Sequence, residues 1–452
     1  MYKVPVTVCS AFLIFYLLWI DRKNHEDVSK AIWIPFVSLL FAGSREISFW
    51  LSYWFNIGSY SGSIAEGNAI ERLFHTTLLL LGIAVLIKRK INWPEMLKGN
   101  IFIVLYFAFG LMSIAWSDFP FVALKRLIKT GSTLVMVLVV LTEAKPYVAL
   151  GTILRRLAII FLPLSILFIW YYPALGKSYH SYSGTQWFTG VSGNKNGLGA
   201  ICLVSGIYLT WKFFASRWSS EVVGEKLRFL LYITLSPILI WLLYKANSAT
   251  SLACLLIAVC IFVIARQKFV VSFPWRLIVI CLGSVILYGT LESMFDIKNT
   301  IIAMLGRRPD LTTRIPMWQD LLSTVQNPLV GYGYESYWLG DRLAYIQKNW
   351  GTEIIQAHNG YIETYINTGA IGVTLLVLWI LTGFKKISKR LITNYWVAVL
   401  QFCLVLVVCF YNYTEACFYG VGMLWFLFLF STMDSSDQTI LLNGAQPNGW
   451  SS

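Results

Sequence analysis

Residues 356–384 read QAHNGYIETYINTGAIGVTLLVLWILTGF. A short polar stretch with a histidine, two asparagines and two glycines passes directly into an apolar run. A helix needs about 17–25 such residues to cross a hydrocarbon core about 30 Å thick. Runs of this kind recur from the first residues to Phe430, and they are uniformly apolar rather than alternating, which favours helices over a closed barrel. Working outward from this stretch, thirteen spans are predicted, near 4–20, 31–50, 72–87, 101–117, 127–142, 154–172, 196–214, 229–245, 249–266, 275–291, 361–383, 393–410 and 416–431, with twelve as the alternative. The chain is thus expected to be an all-α polytopic integral membrane protein of about 12–13 transmembrane helices, with one large loop between the last spans.

Composition agrees. Of 452 residues 57% are hydrophobic and only 13% charged, against roughly 25% charged in a soluble domain. The N-terminal run has no small-residue cleavage site behind it and is expected to be a retained span. The eight cysteines lie almost all inside apolar runs with no metal-like pairing, so thiol redox or metal chemistry is not expected. Four regions follow: helices over 1–290, a large loop over 291–357, helices over 358–432 and a polar tail over 433–452. Short helices are expected in the loop after Pro309 and Pro316.

The formal charge of +14 is explained by topology. The basic connectors 21–30, 88–90, 155–156, 211–228, 266–276 and 385–390 fall on one side, which the positive-inside rule makes the cytoplasm. The loop from Leu291 to Ala357 carries six basic and seven acidic residues, so no nucleic-acid patch is implied. The opposite face collects Arg45, Asp118, Arg126, Lys195, Lys245, the large loop and Glu415. Charges at the ends of apolar spans either line a polar cavity or snorkel to the interface. Several arginines around one cavity suit a diphosphate, because the guanidinium fork binds phosphate oxygens in pairs and keeps its proton.

Within that face, His358 combines a boundary position with Asn359, Gly360, Tyr361 and Glu363. Imidazole accepts a proton near neutral pH where arginine does not, so His358 is either a base or a satisfied structural histidine. Asn194, Lys195 and Asn196 open an apolar helix, where they would form an anion site or merely cap it. Asp118 either orients an arginine or acts directly. Tyr332, Tyr334 and Trp338 either stack on sugars or are ordinary interfacial aromatics. No paired acidic motif marks a divalent-metal site.

The order of motifs resembles the bacterial O-antigen ligase and O-antigen polymerase superfamily, nearest its exopolysaccharide-polymerase-like branch. The resemblance rests on Trp33-Ile34-Pro35 with Gly43-Ser44-Arg45, Trp116-Ser117-Asp118-Phe119-Pro120 with Lys125-Arg126, and Gly193-Asn194-Lys195-Asn196-Gly197. It continues through Gly306-Arg307, Thr312-Thr313-Arg314 and Trp318, Gly331-Tyr332-Gly333-Tyr334, His358 to Glu363, and Asn367-Thr368-Gly369. Thr312-Thr313-Arg314 stands where Thr-Gly-Arg is usual, and Ser248-Ala249-Thr250 replaces a Ser-Arg, which removes one arginine. The resemblance implies a multi-pass inner-membrane glycosyltransferase whose site faces the periplasm. Its donor would be a glycan on undecaprenyl diphosphate, taken with inversion and without metal or cofactor. His358 would activate the acceptor hydroxyl; Arg314, with Arg126, Arg307, Arg45 and Lys195, would hold the diphosphate. Asp118, Asn194, Asn196, Asn359, Glu363 and Glu415 would support them. The bilayer and the lipid-linked glycan are the expected partners, a chain-length regulator a further one. Polymerisation of repeat units is the leading expectation; ligation of finished glycan to lipid A core or protein, and non-enzymatic export of the same lipid, are the alternatives.

Overall fold

The computed structural model describes residues 3–23, 28–57, 67–179, 184–215, 225–295, 311–351 and 354–434. Among the described residues the secondary structure is helical apart from one short antiparallel pair, Lys177–Tyr179 against Gln186–Phe188. The all-α polytopic expectation holds. Among the described residues six helices are long and apolar enough to cross a membrane: Lys3–Arg22, Ala69–Lys88, Pro146–Tyr171, Lys195–Ala215, Trp275–Ser293 and Gly360–Thr393. Counting each of two bent pairs as one span raises this to eight, and four shorter apolar helices of 10–17 residues account for further runs.

Apolar run length is not helix length. The run predicted as one span over 31–50 is two helices, bent by 74°. The break follows Gly43, with Ser44 extended, and a side chain at Gly43 would meet the Phe161 ring at 2.8 Å. The run over 101–117 begins at an 88° bend after Trp93–Gly99. There Asn100 leaves helical geometry, and its amide donates to the Met96 carbonyl (2.8 Å) and the Asp434 carbonyl (3.0 Å).

The chain divides into two compact units. The first comprises 1–104, 128–259 and 419–452. In it Pro146–Tyr171 is buried along most of its length, with Lys3–Lys23, Lys195–Ala215 and Glu225–Ala246 packed against it. Its Arg155 and Arg156, two turns inside the helix, both donate to the buried Asp21, at 2.5 and 2.8 Å. Arg89 likewise pairs with Glu143, which also accepts from the Ser29 hydroxyl at 2.7 Å. Residues from connectors predicted to share one side therefore meet within this unit. The pairing also relieves the desolvation that lone buried charges would suffer.

The second unit comprises 105–127 and 260–418. Its organising element is Gly360–Thr393, a helix broken at Gly369, whose φ of 64° lies in the left-handed region. The segment 327–333 docks its backbone into this break. Tyr332 and Gly333 N–H donate to the carbonyls of Ile366 and Asn367 (3.1 and 2.8 Å), and Ala370 and Ile371 N–H donate to those of Pro328 and Leu329 (2.8 and 3.1 Å). A break in an apolar helix is tolerated only when its freed backbone groups are satisfied in this way. The large loop is therefore ordered over its described part. Leu311–Ser323 forms after Pro309 as predicted but runs on through Pro316, and Gly340–Trp350 adds a second helix. Met317, Trp318, Leu321, Tyr337, Trp338, Ile346, Ala357 and Ile366 close a small core between them.

Candidate functional site

His358 sits where this packed loop enters the broken helix, and its backbone is left-handed, with φ of 50°. A non-glycine residue in that region is uncommon and persists only when its surroundings hold it there. Here they do so from both sides. The preceding peptide is clamped: the Ala357 N–H donates to the Glu363 carboxylate (2.9 Å), and the Ala357 carbonyl accepts from the Trp318 indole (2.7 Å). On the following side, the Asn359 side chain caps the helix by accepting from the N–H groups of Tyr361 and Ile362, at 3.0 and 3.1 Å. The next residue is glycine for want of room, since a Cβ at Gly360 would lie 2.0 Å from the Asn412 amide oxygen.

Glu363 is buried, 3% exposed, and its carboxylate accepts from three donors. Besides Ala357 N–H it accepts from the Trp338 indole at 2.6 Å and the Asn367 amide at 3.1 Å. Buried and bonded to these three donors, it fixes the peptide that carries His358.

The imidazole faces a second carboxylate. Nδ1 of His358 lies 3.3 Å from Oε2 of Glu415, whose other oxygen lies 3.9 Å from the Arg314 guanidinium. Arg314 also donates to the Thr414 carbonyl. With Glu415 as acceptor, the proton of a neutral His358 resides on Nδ1 and the Nε2 lone pair is left for chemistry. The Gln356 amide lies 3.4 Å from the same nitrogen. Imidazole, carboxylate and guanidinium thus come from three separated stretches, with the His358 and Arg314 side chains partly open, 26% and 22% exposed.

A second set of charges in this unit is tied to the same loop. Arg126 donates to the Glu335 carbonyl, and Glu335 is itself left-handed at φ 48°. Asp118 accepts from Arg342 at 2.5 Å, an arginine that sequence reasoning had not singled out. Arg342 lies 4.2 Å over the Tyr332 ring and donates to the carbonyls of Ser336 and Tyr337. Residues 335–338 thereby connect Arg126 and Arg342 to Glu363 and on to the His358 peptide. Nothing local in the sequence could reveal this, because Asp118 and Arg342 are 224 positions apart.

Other expected residues have different employment. Tyr334 and Trp338 are buried, 3% and 4% exposed. They wall the interior rather than offer faces to sugars, so the expectation of stacking there is corrected; Tyr332 is half-buried, its hydroxyl on the Thr324 carbonyl at 2.5 Å. Arg45, Asn194, Lys195 and Asn196 belong to the first unit. There Arg45 donates to the Leu175 carbonyl (2.8 Å), Asn194 accepts from Gly197 N–H (2.7 Å) as a helix cap, and the Lys195 ammonium lies 4.7 Å over Trp187. Arg307 lies outside the described residues, as does the tail from 435.

Comparison with known proteins adds to this geometry. The exopolysaccharide production protein ExoQ of Rhizobium meliloti (strain 1021) is 28% identical over 303 residues, covering 63% of this chain and 65% of that protein. The match therefore spans just under two thirds of the relative's length. Residues 233–377, which contain Arg314, the docked loop, His358 and the break at Gly369, match the Wzy_C family, described as O-antigen ligase. Over this stretch, and in the motif order around it, the chain is similar to the O-antigen ligase family of polytopic membrane proteins.

Proposed function

We propose that the protein transfers a glycan from undecaprenyl diphosphate to an acceptor hydroxyl, and that it polymerises repeat units of an extracellular polysaccharide at the periplasmic face of the inner membrane. The observation that carries this reading is the Arg314–Glu415–His358 arrangement: a base oriented by a carboxylate beside a fixed cation for the leaving group. His358 Nε2 takes the proton of the acceptor hydroxyl as its oxygen bonds to the anomeric carbon. The bond from that carbon to the diphosphate oxygen breaks, its electron pair leaving with undecaprenyl diphosphate, and the anomeric configuration inverts. Arg314, with Arg126 and Arg307, carries the diphosphate charge. The departing group needs no added activation, so the reading assigns no metal or cofactor.

Ligation remains the neighbouring reading because the family is described by that activity, whereas the relative is an exopolysaccharide production protein. Purified lipid-linked repeat units separate the two. Polymer formed without any core lipid or protein acceptor supports polymerisation, and long glycan stranded on undecaprenyl diphosphate in a deletion strain marks a ligase. In either case His358→Ala is expected to abolish transfer while the protein still inserts in the membrane; normal glycan length in that strain would overturn the assignment. Arg314→Lys is expected to lower turnover by on the order of tenfold or more, since it keeps the charge and loses the fork.

A further inference from the structure

The first unit holds a second basic feature that the transfer reaction leaves unused. In the short hairpin Lys177 stands directly opposite Phe188, so their side chains leave the same face. The Lys177 ammonium lies 5.6 Å from the Phe188 ring centroid. On the same ring, at 5.2 Å, lies the ammonium of Lys245 from the last turn of Glu225–Ala246, which is also 5.8 Å from Trp241 and 5.5 Å from Tyr244. Trp241 in turn stacks on Trp170 at 6.0 Å, and Trp170 and Tyr244 are 64% and 77% exposed, extending the wall outward. Lys195 is not part of this face, because it sits over Trp187, and neighbouring strand residues point to opposite sides.

Two ammoniums held against one ring repel each other, and an anion bound by both would relieve that repulsion. Among the described residues neither is in an ion pair or a hydrogen bond. The sequence supplies no acid nearby along the chain: no Asp or Glu occurs from 144 to 220 or from 226 to 291. Paired positive charge answered by no carboxylate fits an anion of about two charges, and a phosphate or diphosphate supplies that with acceptors for every donor. The aromatic wall requires the anion to carry an apolar or sugar body, because a bare ion would gain nothing from it.

We infer that Lys177 and Lys245 bind a lipid-borne phosphate or diphosphate against Phe188, Trp241 and Tyr244. The inference rests on none of the transfer chemistry, and its test reads binding alone. Full-length protein in an Arg314→Ala background, which silences the reaction site, is titrated by native mass spectrometry with undecaprenyl diphosphate, phosphatidylglycerol and inorganic pyrophosphate. K177Q/K245Q is expected to weaken one lipid at least tenfold, and K177R/K245R to retain it. A loss confined to undecaprenyl diphosphate identifies a polyprenyl headgroup, and a loss of phosphatidylglycerol identifies a bilayer lipid. The single variant K177Q, on the exposed hairpin, gives the same reading at smaller size if the double variant is poorly folded. Unchanged affinity for both lipids in these variants overturns the inference, as does binding of pyrophosphate with neither lipid.

Discussion

His358 is held in a conformation it would not choose, and the groups that hold it are the residues most exposed to test. Glu415 contributes no bond to the glycan. In the proposed reaction it sets which imidazole nitrogen carries the proton, and it neutralises the imidazolium formed when His358 takes the hydroxyl proton. Glu415→Gln keeps the shape and removes the charge, and it is expected to lower turnover about a hundredfold with donor affinity little changed, by analogy with acids that orient a catalytic histidine. Single-turnover kinetics on lipid-linked repeat units check this; a fall in donor binding with unaltered turnover would place Glu415 with the diphosphate instead. Glu363 also lies beside the histidine in sequence, but its oxygens face only the Ala357, Trp338 and Asn367 donors. A carboxylate at the right spacing is legible in the sequence, whereas the partner it faces is not.

The broken helix shows the same division at the scale of an element. Asn367-Thr368-Gly369 was visible as a motif, and so was the Gly-Tyr repeat, but only the fold shows that they are two halves of one joint. At Gly369 a Cβ would lie 2.3 Å from the Leu329 backbone, at a φ of 64° that L residues rarely adopt. Gly369→Ala is expected to destabilise the second unit by more than about 3 kcal/mol, combining overpacking with left-handed strain. Gly283→Ala, in an open stretch of Trp275–Phe295 with nothing within 4 Å of the added carbon, should be neutral or slightly stabilising. Thermal unfolding of the two in detergent compares them directly. The loop core makes a further prediction. Burial pushes the Tyr337 phenol up to about 12, against the pull of its hydrogen bond with Thr324 and with the Tyr332 ring and the Asp320 charge also raising it. The unfolded phenol ionises first, near its ordinary value of about 10. Stability supplied by this group is therefore full below pH 10 and falls as pH rises toward 12, by roughly 2–3 kcal/mol in all. Tyr337→Phe should flatten this alkaline loss, read by tryptophan fluorescence.

For the whole molecule, the sidedness of the charges is the main expectation still to be measured. The first unit joins Asp21 to Arg155 and Arg156, and Arg89 to Glu143 and Ser29, which agrees with their assignment to a common side. Single cysteines placed at Arg342 and at Ser388, in a background with the eight native cysteines replaced, should label from opposite faces: Arg342→Cys from the periplasm in intact cells, Ser388→Cys only after lysis. Labelling of both from outside would invalidate the placement of the reaction. By itself the sequence determined the membrane class, the helical secondary structure, the His358 boundary and the arginines suited to a diphosphate, because these follow from run length, residue chemistry and local spacing. The tertiary structure decided how many runs are single helices, that the large loop has its own core, that Tyr334 and Trp338 are walls, and that Glu415 rather than Glu363 faces the histidine. Those outcomes depend on contacts between residues tens to hundreds of positions apart, where a bend at one glycine or a backbone carbonyl in another segment settles what a side chain can reach.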